Sequence, residues 1–437
     1  MNLIKTTIKE LRNFLILWST QSLSALGSSM TNYALVIWSY QEKGSALTTS
    51  LLSVCSYAPY VLMSIFAGAF SDKWNKKITM LVSDSFAAAC TALILLLFRT
   101  GSLRVWHLYF LNALNGLMNT IQQPASDVAI SLITPKRHYQ KVSGLRSFSS
   151  SLVTILTPVL AMAVLPLAGL RAVIWFDLAT FAAAFLSLAF VVKIPDVPSE
   201  RTGRKESVLE SVQGGLRYLK EQRGVLHLIL FLAAINFTAS VYQAAIPAML
   251  LSRNGGGENA LGLLNAASGA AMLLGSVLAS VLPAPKSRVR VICNMLLFAM
   301  GTENFILAFG RSVPIWCVGA ILGWIGIPLM NANMDVLFRS HIPLPMQGRV
   351  YSARNTLQFF TIPVGYFVGG ILVDKVFEPF MAALPPQSIW HVLFGSGKGS
   401  GAAMLFLVLG ITGTATCLFF RKDHNIWDLE NRSDKSA

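Results

Sequence analysis

The sequence has little charge and few cysteines. Charged residues make up 13% of its 437 residues, about half the roughly 25% of a typical soluble domain. The five cysteines lie singly in apolar runs, which predicts neither a disulfide framework nor a metal site. The sequence contains no HExxH, GxSxG or nucleotide-binding fingerprint, so we expect no enzyme and no cofactor. A Gly-Ser-Gly-Lys stretch at 395–401 lacks Ser or Thr after Lys398 and is predicted to be a flexible loop.

The chain is rich in apolar residues, many of them in long runs. Apolar residues make up 54% of the chain, close to the about 240 residues that twelve membrane spans of about 20 residues need. This content excludes a soluble enzyme and a disordered chain. Long apolar runs bounded by charge or by Pro and Gly predict an all-α membrane protein of twelve transmembrane helices. These spans are placed at 14–40, 47–70, 77–98, 105–126, 147–168, 172–192, 225–250, 260–282, 291–310, 313–337, 351–373 and 401–420.

The basic residues lie mainly on one side of these spans. About three quarters of the 35 Lys and Arg residues fall in the segments that alternate with the spans on the side of the N-terminus, as cytoplasmic segments do. This bias predicts an even number of spans in a cell membrane, with both termini in the cytoplasm. It also accounts for the net charge of +15, because short basic loops face anionic lipid. We therefore expect membrane lipids and no nucleic acid as partners, and a monomer.

The chain divides into two related halves. A polar stretch near 195–224 separates a predicted N-terminal six-helix bundle, 1–193, from a C-terminal one, 225–437. The linker at 194–224 contains a segment of helical apolar spacing, expected to lie along the inner membrane surface. One pattern recurs after 208 residues: Asp127, Val128, Pro135, Lys141, Val142 and Arg146 return as Asp335, Val336, Pro343, Arg349, Val350 and Arg354. Such duplication is typical of transporters whose halves are pseudo-symmetric.

Polar side chains form stripes along one face of several spans. The stripes are Gln21, Ser24, Ser28 and Asn32 in span 1, Asn112, Asn115, Asn119 and Gln122 in span 4, Asn236, Ser240 and Gln243 in span 7, with Tyr242 beside them, and Asn331 with Asp335 in span 10. Each stripe alone is explained by hydrogen bonds between helices. Their recurrence at every third span favours a shared water-filled cavity that takes a small-molecule substrate.

Three carboxylates lie within the predicted spans. They are Glu303 in span 9, Asp84 in span 3 and Asp177 in span 6. An ionisable residue at this depth costs about 2.5–3.5 kcal/mol on insertion scales unless it is paired or hydrated. We consider them candidates for coupling transport to protons. The alternative is a structural partner or a role at a helix end.

The loop between spans 2 and 3 resembles a known family motif. Its motif residues are Gly68, Asp72, Lys73, Lys76 and Lys77. This pattern resembles motif A of the major facilitator superfamily. The resemblance implies the major facilitator fold and a conformational latch, completed by an acid at the inner end of span 4 and an Arg in span 5. Asp127 and Arg146 match those two positions.

The motif departs from the family at Asn75, where glycine is preferred. Asn tolerates a left-handed backbone, so we expect the turn to be kept. Other stretches resemble the macrolide-efflux and enterobactin-exporter branch of the superfamily. They include Gln347, Gly348 and Arg349 with the following valine, and 374–379.

Together these features predict a secondary transporter. The resemblance implies proton-coupled efflux of small amphipathic molecules, such as macrolide-like drugs or siderophores, by alternating access. An uptake permease of the same fold and a non-transporting membrane receptor or scaffold remain the alternatives.

Overall fold

The computed structural model describes residues 10–71, 75–195, 208–343, 350, 353–354 and 356–433. These residues are helical almost throughout, and no strand occurs among them. The first helices are α1 Arg12–Lys43, α2 Ala46–Ser71, α3 Lys76–Arg99, α4 Val105–Ile133 and α5 Tyr139–Leu186, which a π-helical turn, Ser187–Val191, extends. Then follow α6 Val208–Glu221, α7 Arg223–Ser252, α8 Glu258–Val281, α9 Arg288–Phe309, α10 Val313–Trp324 and α11 Ile327–His341. The last are α12 Thr361–Ile371, α13 Glu378–Ala383, α14 Ile389–Phe394, α15 Ser400–Arg421 and α16 His424–Ser433.

Nine helical segments in the described ranges are long and apolar enough to cross a membrane. One of them, Gly144–Val191, has 48 residues, about twice what a single crossing needs. Gly169 within it has φ 70° and ψ 179°, a backbone conformation that glycine adopts without a Cβ penalty. The segment therefore bends at Gly169 into two crossings, between predicted spans 5 and 6.

Helices α1 and α4 are long enough to cross but more polar than the nine segments. They contain 32 and 29 residues, more than the about 20 that a bilayer core requires. Both carry the polar stripes predicted for spans 1 and 4, and these stripes lower their hydropathy. With these two helices and the two crossings around Gly169, the structure is consistent with an all-α membrane protein of twelve spans.

The chain forms two compact units. Unit 1 contains Met1–Trp38 and Cys55–Lys205, and unit 2 contains Ser39–Val54 and Glu206–Ala437. The C-terminal end of α1 and the N-terminal end of α2 thus belong to unit 2. The rest of both helices belongs to unit 1. The division at 194–224 into two six-helix bundles stays a prediction.

Unit 1 contains close helix contacts and a small apolar core. A Cβ placed on Gly116 in α4 would lie only 2.0 Å from the backbone oxygen of Ser56 in α2, so α2 and α4 approach closely because this position has no side chain. One buried core joins α1, α3, α4 and the π-helical turn, and consists of Leu17, Met80, Ala125, Ala129, Leu188 and Val192.

Unit 2 is packed around α7. Gly365 and Gly369 of α12 lie against the α7 backbone at Phe237 and Val241, and the Phe231 ring of α7 stacks on Phe420 of α15 with centroids 4.9 Å apart. Span 10, predicted as one helix over 313–337, is interrupted between α10 and α11. A Cβ on Gly275 of α8 would lie 2.1 Å from the Ile325 carbonyl oxygen at this interruption.

The hairpin at 39–54 is held in unit 2 by polar contacts. The Asp374 carboxylate accepts hydrogen bonds from Ser45 Oγ at 2.5 Å, Ala46 N at 3.0 Å and Leu47 N at 2.9 Å. It therefore caps the N-terminus of α2, where backbone N–H groups have no partner within the helix. The Tyr40 hydroxyl lies 2.5 Å from Ser252 Oγ of α7.

Span 11 is longer than predicted. Helix α12 continues through a π-helical turn, Leu372–Phe377, into α13 and ends at Ala383, well past the predicted end at 373. Asp374 and Glu378, which lie past this predicted end, accept hydrogen bonds within the protein. Glu378 Oε1 accepts the N–H groups of Gly399 at 3.0 Å and Ala402 at 3.1 Å, so the end of the predicted 395–401 loop is the capped start of α15.

Two amphipathic helices pack on unit 2. The predicted linker helix is α6, but its Leu219 is buried in the core of unit 2, and the Tyr218 hydroxyl donates to the His341 carbonyl at 2.7 Å. This end of α6 therefore contacts protein rather than lipid. Helix α16, which the sequence analysis did not predict, buries Ile426 and Leu429 in the same core.

We expect Gly116→Ala to destabilise the protein by about 1–3 kcal/mol, because the added methyl group collides with the Ser56 backbone. The measurement is the thermal midpoint of the detergent-solubilised protein. Gly144→Ala is the matched control, since nothing lies within 4 Å of a Cβ at this helical glycine. Equal midpoints for the two variants would contradict the close contact between α2 and α4.

Candidate functional site

Unit 1 contains a cavity of about 570 Å³, within the range of small-molecule sites. The polar faces of α1 and α4 contribute much of its wall. Of the predicted candidates, the structure brings together around it Gln21, Ser28, Asn32, Asp84, Asn112, Asn115, Asn119, Arg146 and Asp177. Apolar and aromatic side chains, including Trp18 and Phe181, line the same cavity, so it offers both polar and apolar surface.

Asp84 lies where three helices of this cavity meet. It is about two turns into α3, and its Oδ2 accepts a hydrogen bond from Gln21 Nε2 of α1 at 2.9 Å. Its Oδ1 accepts one from Gln122 Nε2 of α4. Each donor belongs to a predicted polar stripe, and both are neutral amides. The two amides therefore hold the Asp84 carboxylate in position without supplying a positive charge.

Asp177 is more enclosed than Asp84. Only 3% of it is exposed, and its Oδ1 accepts a hydrogen bond from Ser28 Oγ at 2.9 Å. A Cβ on Gly27 would lie 2.9 Å from the Asp177 Cα, so the backbones of α1 and α5 are in close contact here. This arrangement matches the structural alternative for an intramembrane carboxylate, a partner between two helices.

The span 7 stripe lies in unit 2 and makes different contacts. Ser240 Oγ donates to the Asn236 carbonyl of its own helix at 2.8 Å, and Ser240 is buried against Gly365. Asn236 Nδ2 donates to the Gln358 carbonyl at 3.4 Å. The structure thus places Ser240 in a helix contact, because its hydroxyl is satisfied by the backbone one turn earlier. Gln243 is half-buried.

Glu303 occupies a closed polar site in unit 2. Its Oε1 accepts hydrogen bonds from the Tyr242 hydroxyl at 2.5 Å and from Trp324 Nε1 at 3.1 Å. A Cβ on Gly323 would lie 2.0 Å from Glu303 Oε2, and 7% of Glu303 is exposed. The sequence pattern predicts Glu303 and Tyr242 but not Trp324 or Gly323. An indole in the middle of an apolar span is a usable signal, since a buried Trp N–H usually finds an acceptor.

The predicted latch falls partly within the described residues. Arg146 Nη2 lies 2.5 Å from Asp127 Oδ1, so the structure brings these two together as an ion pair at the surface. Asp72 and Lys73 lie outside the described residues, as do the surroundings of Gly68 in α2. Asn75 corrects one expectation: it has φ −60° and ψ 121° rather than a left-handed conformation. Its side chain accepts from Ile78 N at 3.1 Å, so Asn75 serves as the N-cap of α3.

Lys77 caps the C-terminal end of the helix that forms span 6. Its Nζ donates to the carbonyl oxygens of Ala189 at 2.9 Å and Val192 at 3.0 Å. Carbonyls at a helix C-terminus lack partners within the helix and attract positive charge. Lys77, one of the basic pair in the motif, thus joins the start of α3 to the end of span 6. Lys76, the other, is half-buried at the first position of α3.

The repeat-related residues of the second half lie near α11. Asn331 and Asp335 are exposed one turn apart on this helix. Arg354 Nε donates to Gln358 Oε1 at 3.0 Å, and its guanidinium lies 4.4 Å from the centroid of the Phe338 ring. Gln347, Gly348 and Arg349 are outside the described residues. The contacts of Arg354 therefore differ from the Arg146–Asp127 pair of the first half.

Two carboxylate–histidine pairs have their carboxylates outside the membrane-spanning segments. Glu10 Oε2 is 2.8 Å from His138 Nε2, and this hydrogen bond is the main cause that lowers the pKa of Glu10. Burial acts to raise the pKa of Asp423, but hydrogen bonds with His227 and Asn425 outweigh it and lower the pKa. His227 Nδ1 lies 2.5 Å from Asp423 Oδ2. Across the described part of the chain, no three His, Cys, Asp or Glu side chains come together as metal ligands would.

Comparison with known proteins gives consistent results. A family model described as Major Facilitator Superfamily matches residues 17–366. Macrolide efflux protein A of Streptococcus pyogenes is 21% identical over 367 residues, which cover 83% of this chain and 90% of that protein. The multidrug efflux pump Tap of Mycolicibacterium fortuitum is 22% identical over 388 residues, 87% of this chain and 94% of that protein. The crystal structure of the nucleoside transporter NupG matches with a TM-score of 0.68 at 12% identity, covering 93% of this chain and 99% of that one, a likeness of fold.

We expect Lys77→Met to lower the stability of the protein by about 1.5–3 kcal/mol, because two helix-terminal carbonyls lose charged hydrogen bonds. The measurement is the thermal midpoint in detergent. Lys77→Arg keeps the charge and the donors and should recover most of the loss. Unchanged midpoints for both variants would show that this contact contributes nothing to stability.

Proposed function

This chain belongs to the Major Facilitator Superfamily, and we propose on that premise that it exports small amphipathic molecules in exchange for protons. Membership makes the chain a multi-pass membrane transporter of a small molecule rather than an enzyme. Alternating access of the unit 1 cavity to the two sides of the membrane would move the substrate. We place the protein in the cell membrane of a bacterium with both termini in the cytoplasm, in line with the bias of its basic residues.

The cavity in unit 1 is the observation that carries this proposal. Its volume of about 570 Å³ suits a drug-sized molecule. Amides and hydroxyls of α1 and α4 line it together with aromatic and aliphatic side chains. A molecule with both polar groups and an apolar body would match this wall better than a sugar or an inorganic ion.

The direction of transport is inferred from the relatives. Macrolide efflux protein A and the multidrug efflux pump Tap are both named as exporters. Their identity to this chain is low, at 21% and 22%, but each match covers more than four fifths of both chains. Efflux of macrolide-like compounds is therefore the direction and substrate class that we propose to test first.

Glu303 is the group that we propose couples export to protons. Its carboxylate is enclosed by Tyr242, Trp324 and Gly323, which leaves room for a proton and for little else. A change in the hydration of this carboxyl during the transport cycle would change its proton occupancy. Asp84 and Asp177 are the other proton candidates among the predicted residues.

The membrane gradient supplies enough free energy for this role. One proton crossing about 150 mV provides about 3.5 kcal/mol. In a one-for-one electrogenic exchange, this free energy sustains a concentration ratio of roughly 300. The transporter therefore needs no nucleotide, in keeping with a sequence that contains no nucleotide-binding fingerprint.

Glu303→Gln should abolish proton-driven transport while leaving the protein folded, because the amide is similar in shape but carries no titratable proton. The measurement is accumulation of a radiolabelled macrolide in proteoliposomes with an acidic lumen. We expect gradient-driven accumulation by the wild type and a loss of about tenfold or more in the variant. Glu258→Gln is the matched control: Glu258, the first residue of α8, accepts a hydrogen bond from the Gln41 amide at 2.5 Å, and its variant should transport normally.

Other outcomes of this experiment would contradict the proposal in distinct ways. Accumulation that persists after an ionophore collapses the proton gradient would reject proton coupling. Net movement with the proton flow, rather than against it, would indicate an uptake permease. Absence of accumulation by both the wild type and the Glu303→Gln variant would favour a receptor or scaffold.

A further inference from the structure

The charged groups that line the unit 1 cavity have an excess of negative charge. Three ionisable side chains, Asp84, Asp177 and Arg146, belong to its wall. Arg146 is already paired with Asp127 at 2.5 Å, so its charge is compensated at the edge of the cavity. The ion pairs found in the described part of the chain involve Glu10, Asp127 and Asp423, and neither cavity aspartate is among them.

Asp84 is the more accessible of the two aspartates. It is partly exposed, whereas Asp177 is buried beneath Gly27 and Ser28. Gln21 and Gln122 each donate one N–H to a different oxygen of Asp84. A carboxylate has about four lone-pair positions, so two amides leave acceptor capacity for a ligand. The amides also leave the negative charge uncompensated, because they are neutral.

Asp84 and Glu303 differ in the free volume beside their carboxylates. Glu303 is enclosed so tightly that even a methyl group on Gly323 would overlap its carboxylate. Asp84, by contrast, borders a cavity large enough for an organic molecule. A negative charge beside such a cavity attracts a cation strongly, since charges interact more strongly in a site of low dielectric than in water. A buried charge without a partner of opposite charge carries a free-energy penalty.

The apolar wall defines the remainder of the ligand. Trp18 and Phe181 line the cavity together with aliphatic side chains. Aromatic faces attract organic cations as well as apolar groups. Resting on the transport function proposed above, we propose that the unit 1 cavity is a binding site for small amphipathic organic cations. Asp84 is the group that pairs with the cationic centre, and Gln21 and Gln122 are the residues that position it.

Equilibrium binding tests this inference without any gradient. The probes are tetraphenylphosphonium and tetraphenylborate, which share size and shape but carry opposite charge. Binding of each to purified protein in detergent is measured by a scintillation proximity assay. We expect saturable binding of tetraphenylphosphonium by the wild type, with an affinity at least about tenfold higher than that for tetraphenylborate.

Variants assign the preference to one residue. Asp84→Asn should lower the affinity for tetraphenylphosphonium about tenfold or more and remove the preference for the cation. Asp84→Glu, which keeps the charge, should retain the preference. Asp428→Asn removes one carboxylate from the exposed face of α16 and should bind like the wild type. Size-exclusion profiles establish that each variant is folded.

Several results would overturn the inference. A wild type that binds both ions equally, or prefers tetraphenylborate, excludes a cation site without reliance on any variant. Loss of the preference in Asp177→Asn but not in Asp84→Asn would reject Asp84 as the pairing group. Absence of cation binding together with proton-driven macrolide accumulation would reject this inference and leave the proposed function intact. Absence of both activities would reject the proposed function as well.

Discussion

Lipid offers no hydrogen-bond partners, so a carboxylate inside a membrane-spanning helix must be satisfied by the protein or by enclosed water. Four carboxylates show how this chain meets that requirement. Asp84 accepts from two glutamines, Asp177 from a serine, Glu303 from a tyrosine and a tryptophan, and Asp374 from a serine and two backbone N–H groups. All these donors are neutral. The polar stripes of the helices follow from this requirement, because several of the donors belong to them.

Neutral donors stabilise a carboxylate without cancelling its charge, and this leaves the charge available for function. What the charge can act on then depends on the space around it. A closed site such as that of Glu303 admits a proton, whereas the open side of Asp84 admits a molecule. One chemical group thus supports two different roles in our proposals, and packing is what distinguishes them.

Small residues make these sites possible. Gly323 brings α10 against Glu303, and Gly116 lets α4 approach the α2 backbone. Helices in lipid associate through close packing and hydrogen bonds, because their apolar surfaces gain little from contact with one another. A glycine opposite a polar group shortens the distance between helices and also excludes water. Replacing such a glycine with a larger residue would therefore alter both the packing of the helices and the environment of the polar group.

The sequence by itself determined the membrane class, the approximate starts of most spans and the faces of α1 and α4 that are polar. These properties are local, since apolar run length and helical period are read within one segment. Only the tertiary structure decided which groups meet. Tyr242 and Glu303 are 61 positions apart, Lys77 and Ala189 are 112 apart, and Ser45 and Asp374 are 329 apart. Helical period tells which residues share a face, but the rotation of one helix against a distant one is set by packing, and that decides the partner.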